Sequence, residues 1–352
     1  MPKSGRFIRS IIVLALVGAI AALAVSSAGA APAKRNGTVI QGAGSSLVAP
    51  ALAVWQPLYS AARGVLVNYS SIGSGGGIAS ITARTVDFGA SDAPLTPDQA
   101  TACGDCIQVP WVLTATVPVY NIPGVKDIQL HLDGATLSKI FLGQITTWNA
   151  PAIAKLNPSL SLPSMKITVI HRSDGSGDSY VFTDYLSKVS SAWKNGVGAS
   201  TSVDWPTGIG AKGNSGVAGA VLATPGSIGY VSDAYVIQNH LAKARLKNAF
   251  GHYTLPSIKS IGQAASLVKT VPADMNISIT NPPKNKKFKD AWPLSTFSYI
   301  IIPHTTAKAK AIKNFVSWAL THGQPSIKKF VFAPMPLVMV KAAEKALAKV
   351  HS

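Results

Sequence analysis

The sequence predicts an α/β protein of two lobes, and three observations carry that expectation. At 352 residues, 47% apolar and 13% charged, the chain is too long for one ordinary core and too apolar to stay unfolded. Short β-rich runs alternate with helical patterns, which argues for largely parallel strands. Three of these runs also pass through tight glycine- and serine-rich turns into helices. Residues 38–40 enter Gly42-Ala43-Gly44-Ser45-Ser46, residues 65–69 enter Ser71-Ile72-Gly73-Ser74-Gly75-Gly76-Gly77, and residues 167–170 enter Arg172-Ser173-Asp174-Gly175-Ser176-Gly177-Asp178.

The first 30 residues have the pattern of an export signal. Lys3, Arg6 and Arg9 precede an apolar run over residues 11–25, and Ala28-Gly29-Ala30 forms an A-x-A site, placing cleavage near Ala30. An uncleaved anchor is the rival reading. Ser26, Ser27, Gly29 and Pro32 interrupt the run before the roughly 20 apolar residues that a span requires. No cysteine stands at the cleavage point to carry a lipid. Residues 31–37 follow as a polar linker.

In the first helix, Leu47, Ala51, Trp55 and Tyr59 recur every four residues and define one apolar stripe. After the second turn, Ile78, Ile81 and Thr85 line a helix face. After the third, Val181, Phe182, Tyr185, Leu186 and Val189 do the same. Residues 227–231 and 299–302 read as buried strands, and 308–320 as an amphipathic helix. The string Gly208-Ile209-Gly210-Ala211-Lys212-Gly213 matches G-x-G-x-x-G, but Asp204-Trp205-Pro206 precedes it and no acidic residue follows at the required distance, so it reads as a loop.

The formal charge of +18 falls to +15 without Lys3, Arg6 and Arg9, and favours anionic partners. The lysines are scattered, and the cluster of Lys284, Lys286, Lys287 and Lys289 lacks interleaved aromatics, which disfavours nucleic acid. Cys103 and Cys106 are the only cysteines. A redox pair would open a helix after a strand; these sit in a loop before Pro110, so a small surface disulfide is expected. The seven histidines show no metal-ligand spacing, and His171 reads as a strand-end packing residue.

In an open α/β sheet, ligands lie beyond the carboxyl ends of the strands, where all three turns gather. Each turn aims free N–H groups and a positive helix end outward, so the three together describe a site for a tetrahedral oxyanion. Ser46, Ser74 and Ser176 fit as hydroxyl donors; a serine nucleophile would need an oriented base and a G-x-S-x-G elbow, and neither is present. A carboxylate at Asp92 would repel an anion. The conflict disappears if the ligand carries a proton, because a buried carboxylate then accepts from phosphate and confronts sulfate with unpaired repulsion. By residue type alone, Asp92 is equally an N-cap before Pro94.

The strings GAGSSLVAP (42–50), IGSGGG (72–77), TVDFGASDAPL (85–95), HRSDGSGDSYVFTDYLSKV (171–189), WPTGIGAKGNSGVAG (205–219), PGSIGYV (225–231) and DAWPLS (290–295) occur in order over nearly the whole chain. Together they closely resemble the phosphate-binding subunit of the bacterial phosphate-specific ABC importer. The resemblance implies a two-lobed, type II periplasmic-binding-protein-like fold, each lobe a mixed sheet flanked by helices, with phosphate in the cleft. It implies lobes of residues 38–112 with 293–352 and of 113–292. It places Ser46, Leu47, Ser74, Asp92, Arg172, Ser176, Gly177 and Asp178 on phosphate, with Arg172 the only cation, braced by Asp174. A hydroxyl residue is usual at the position of Asp178, which reads either as a helix cap or as a second acceptor favouring the phosphate monoanion. The implied protein is an exported, monomeric receptor that needs no cofactor or metal, catalyses nothing and passes phosphate to membrane permease subunits. The alternatives are a receptor for another oxyanion or an organic phosphate, and a phosphate-ester hydrolase.

Overall fold

The computed structural model describes residues 38–352; the signal (1–30) and linker (31–37) fall outside the described residues. The described residues form twelve strands: β1 (Val39–Gly44), β2 (Leu66–Ser71), β3 (Phe88–Ser91), β4 (Cys106–Asn121), β5 (His131–Leu132), β6 (Thr168–Arg172), β7 (Ile209–Ala211), β8 (Ser227–Ser232), β9 (Ala242–Lys243), β10 (Arg245–Lys247), β11 (Tyr253–Thr254) and β12 (Ser295–Pro303). Nine of them form one sheet in the order β2-β1-β3-β12-β4-β8-β6-β7, with β9 also on β4; β11-β10-β5 form a smaller sheet.

The expectation of largely parallel strands holds at the flanks only. β1 pairs in parallel with β2 and β3, and β6 with β7 and β8, but β12 is antiparallel to both β3 and β4, and β4 to β8. The reason lies in β4, a strand of 16 residues that changes partner along its length. Residues 106–115 pair with β12 and 116–121 with β8, so this one strand joins both parallel halves.

Two aromatic clusters follow the same division. Trp111 packs between Trp55, Phe88 and Phe315 at centroid distances of 5.6, 6.1 and 6.0 Å. Phe182 stacks on Tyr230 at 4.5 Å and meets Phe141 at 4.6 Å. The Ala49–Arg63 helix buries its stripe of Ala51, Trp55 and Tyr59, with Leu47 buried just ahead of it. The Gly177–Val189 helix buries Val181, Phe182, Tyr185 and Leu186, while Val189 is half-buried. Thr85 departs from its expected helix face: the Ser74–Thr82 helix has already ended, and Thr85 is exposed. The 308–320 expectation corresponds to the Ala309–Trp318 helix, prolonged by a wider turn over Ala319–Gly323.

The G-x-G-x-x-G string is not a loop. Ile209–Ala211 pairs in parallel with β6, and the Gly213–Ala223 helix starts two residues later. Gly208, at φ +113°, permits the entry; a β-carbon there would stand 2.6 Å from the Val169 carbonyl oxygen. Cys103 and Cys106 also lie outside a loop. They end the Pro97–Cys103 helix and begin β4, and they are joined as the expected disulfide.

Candidate functional site

All three turns and a fourth, which joins β7 to the Gly213–Ala223 helix, meet at one buried place. Beyond β1, Ser45 Oγ donates to Asp92 Oδ2 at 2.6 Å and accepts from the Leu47 amide at 3.0 Å. Ser74, which opens its helix, donates to Asp92 Oδ2 at 3.4 Å, and its oxygen accepts from the Gly177 amide at 3.0 Å. The second and third turns also join directly, Gly75 N–H to the Gly175 carbonyl at 2.9 Å. Ser46 Oγ faces the fourth turn instead, accepting from the side chain and backbone of Asn214 at 2.9 and 3.2 Å.

Arg172 ends β6 with its side chain buried. Its Nε donates to Asp174 Oδ1 at 2.7 Å and its Nη2 to Asp174 Oδ2, a two-pronged brace; Nη1 lies 3.4 Å from Asp178 Oδ2. Asp174 in turn accepts from the Gly213 amide at 2.9 Å, so the third and fourth turns share one carboxylate. Burial works against the guanidinium charge, but the flanking carboxylates outweigh it and hold the Arg172 pKa above its ordinary value. Burial likewise opposes ionisation of Asp174, and the Arg172 bonds overcome it, leaving that carboxyl below its usual range.

Asp92 and Asp178 behave differently. Both are about 1% exposed. Loss of water, then the charge of Asp178, pushes Asp92 up to about 7 against the pull of Ser45, Ser298 and Arg172. Asp178 is raised chiefly by burial, while Arg172, Thr116 and Asn214 hold it down. Among the described residues, nothing donates to Asp92 Oδ1. Both oxygens of Asp178 are engaged, Oδ1 by Thr116 at 2.7 Å and Oδ2 by Asn214 at 2.7 Å.

Two capping readings are therefore corrected. Ser176 caps the Gly177–Val189 helix, accepting from the Ser179 amide at 3.1 Å; the Asp178 side chain turns inward to Thr116, Asn214 and Arg172. Asp92 caps nothing, because the next helix starts at Pro97 and is capped by Thr96. His171 stacks on Trp205 at 4.9 Å and bonds the Arg172 carbonyl, far in kind from a base activating a serine. Ser45, Thr116 and Asn214 belong to the site and were not expected. Asn214 had a signal, in the glycine string that proved to be a strand, a turn and a helix start. Among the described residues, no group of His, Cys, Asp and Glu is arranged to hold a metal ion.

The arrangement suits an oxyanion that carries a proton. It offers helix-terminal amides, hydroxyls and one braced guanidinium as donors, and a single unpartnered carboxylate oxygen as acceptor.

Known proteins resemble this chain in sequence and in fold. Residues 27–322 match the family model described as PBP superfamily domain. The phosphate-binding protein PstS of Xylella fastidiosa (strain Temecula1) is 44% identical over 309 residues, covering 87% of this chain and 84% of that one. The protein of the same name from Haemophilus influenzae is 44% identical over 305 residues, with 86% and 90% covered. One from Methanocaldococcus jannaschii is 35% identical over 288 residues, with 74% and 72% covered. A high affinity periplasmic phosphate-binding protein solved with phosphate superposes with a TM-score of 0.71 at 21% identity, covering 88% of this chain and 93% of that one. A phosphate-binding protein from Stenotrophomonas maltophilia gives 0.65 at 19%, with the same coverage. At such identities these structures establish the fold.

Proposed function

Since the chain belongs to the PstS phosphate-binding proteins of the PBP superfamily, we propose that it captures inorganic phosphate outside the cytoplasmic membrane for an ABC-type importer. The observation that carries this reading is Asp92: fully buried among donors, with Oδ1 unpartnered. Ser46 and Ser176, the amide of Asp178 and the Arg172 guanidinium donate to the phosphate oxygens, while Ser74 and the amides of Leu47 and Gly177 do so by exchanging their present partners, Asp92 Oδ2, Ser45 Oγ and Ser74 Oγ, for the ligand. Asp92 Oδ1 accepts the phosphate proton. Sulfate has no proton near neutrality and is rejected by leaving that oxygen unpaired.

Residues 38–115 with 293–352 form one lobe and 116–292 the other, a small shift from the 112/113 boundary that the resemblance implies. The change of β4 partners between Ala115 and Thr116 supports this division. Closure brings Gly177 to Ser74 and Asn214 to Ser46, which removes water and strengthens each dipole–anion interaction. The protein works as a monomer, is exported by residues 1–30, and delivers phosphate to membrane permease subunits without chemical conversion.

Thermal-shift and calorimetric titrations of phosphate-stripped protein with phosphate, sulfate, molybdate and organic phosphates test the reading. Phosphate alone should stabilise strongly, Arg172→Ala and Asp92→Ala should each abolish most of the affinity, and Asp92→Asn should let sulfate compete. Equal stabilisation by sulfate, or turnover of p-nitrophenyl phosphate with added divalent ions, would overturn it.

A further inference from the structure

We propose that Asn214 is a positioning residue for phosphate, one that makes Ser46 an obligate donor and fastens the ligand-holding turns across the cleft. The inference rests on the phosphate reading above and goes beyond it. Asn214 is completely buried at the start of the Gly213–Ala223 helix. Its amide orientation follows from its neighbours: Oδ1 accepts from the Ser232 N–H at 2.8 Å, so Nδ2 is the end that faces Ser46 Oγ and Asp178 Oδ2. The backbone N–H of Asn214 donates to the same Ser46 oxygen.

A serine hydroxyl has two acceptor lone pairs and one proton. With Asn214 donating to it twice, Ser46 meets any further group through its proton alone. A hydroxyl so arranged favours an acceptor oxygen and cannot take the ligand's own proton, which leaves that task to Asp92 Oδ1. The two tests a phosphate must pass, to accept at Ser46 and to donate at Asp92, are thus assigned to different residues.

The same bonds are also a latch. Ser46 follows β1 and Asn214 follows β7, strands from opposite halves of the large sheet. The bonds between them exist only while the two halves are together. Asn214 also holds Asp178 Oδ2, so the latch is tied to the carboxylate beside Arg172.

Stopped-flow phosphate binding by the full chain tests this through a double-mutant cycle of Ser46→Ala and Asn214→Ala, with the isosteric Asn214→Asp beside it. Each single variant should bind about 10- to 100-fold more weakly. The loss should appear as faster release, with association changed by no more than about threefold. The double variant should fall well short of the product of the two single losses, because the Ser46–Asn214 side-chain contact is already lost in each. Asn214→Asp should match or exceed Asn214→Ala, since a carboxylate cannot donate to Ser46 and faces Asp178. Where Asn214→Ala melts below the assay temperature, Asn214→Asp and Asn214→Ser carry the same cycle. Additive losses, or release within about twofold of the parent, would overturn the assignment. A parent that binds no phosphate overturns the function itself; a binding parent with unaffected Asn214 variants overturns this inference alone.

Discussion

Gly177 lies against Asp92 with no room for a side chain between them. A β-carbon at Gly177 would stand 2.4 Å from both Cβ and Oδ2 of Asp92 and 2.8 Å from its Cα. The glycine opens the helix after β6, and the aspartate directly follows β3. Gly177→Ala should therefore weaken phosphate binding by about 10- to 100-fold, the cost of overpacking at a contact that cannot relax into solvent. The phosphate-free melting temperature should hardly move, because the clash arises only where the two turns meet. Calorimetry with parent-like affinity would show that they do not meet in the complex.

The buried carboxylates set the sign of the pH dependence of stability. Asp92 titrates at about 7 in the folded chain, far above an unfolded aspartate, so between those values the folded state binds more protons. While the turns are together, stability should then fall as pH rises from about 4 to 7, opposite to the usual acid loss. Asp233, buried and likewise raised to about 7, adds the same sign. Asp92→Asn should flatten part of the slope, and Asp92→Asn with Asp233→Asn most of it. A melting temperature that climbs over that range in the parent would contradict these displaced pKa values.

What the sequence disclosed depended on whether the signal was local. Each of the three glycine–serine turns carries its strand, turn and helix start within about 15 residues, and each unit formed, although the strands run on through Gly44, Ser71 and Arg172, which the sequence places in the turns. The fourth unit escaped because β7 has only three residues, too few for an apolar period to show. Ser45, Thr116 and Asn214 escaped for another reason. They join partners 47, 62 and 168 positions away, and a hydroxyl or amide carries no local mark of such a partner. The mixed centre of the sheet is equally non-local, since β4 ends at Asn121 and its partner β12 begins only at Ser295.

Asp178 places a second carboxylate beside Arg172, with Thr116 and Asn214 donating to it. An extra buried negative charge opposes the phosphate dianion more than the monoanion. The parent should lose affinity through the second ionisation of phosphate, near neutrality, more steeply than Asp178→Thr. Titrations at several pH values, with sodium concentration fixed, compare the two slopes. Parallel curves would remove any role for Asp178 in choosing the ionic form of the ligand.

The disulfide is a stability element set apart from phosphate. Cys103 and Cys106 close a ring with a sequence separation of three, pinning the end of a helix to the start of β4. Arg84 lies over the same corner, donating to the Cys103 carbonyl at 2.9 Å and contacting both sulfurs and Asp105. A loop this short restricts the unfolded chain little, so removing the bond should cost only about 2 kcal/mol. The double change Cys103→Ser with Cys106→Ser should lower the denaturation midpoint by that amount and leave phosphate affinity untouched, since neither sulfur contacts a proposed phosphate ligand. Arg84→Ala should cost less than the double cysteine change, because its ion pair with Asp105 is close to half exposed and screened by solvent. Loss of phosphate affinity in the cysteine variant, at unchanged fold, would instead tie this corner to the closing motion through β4.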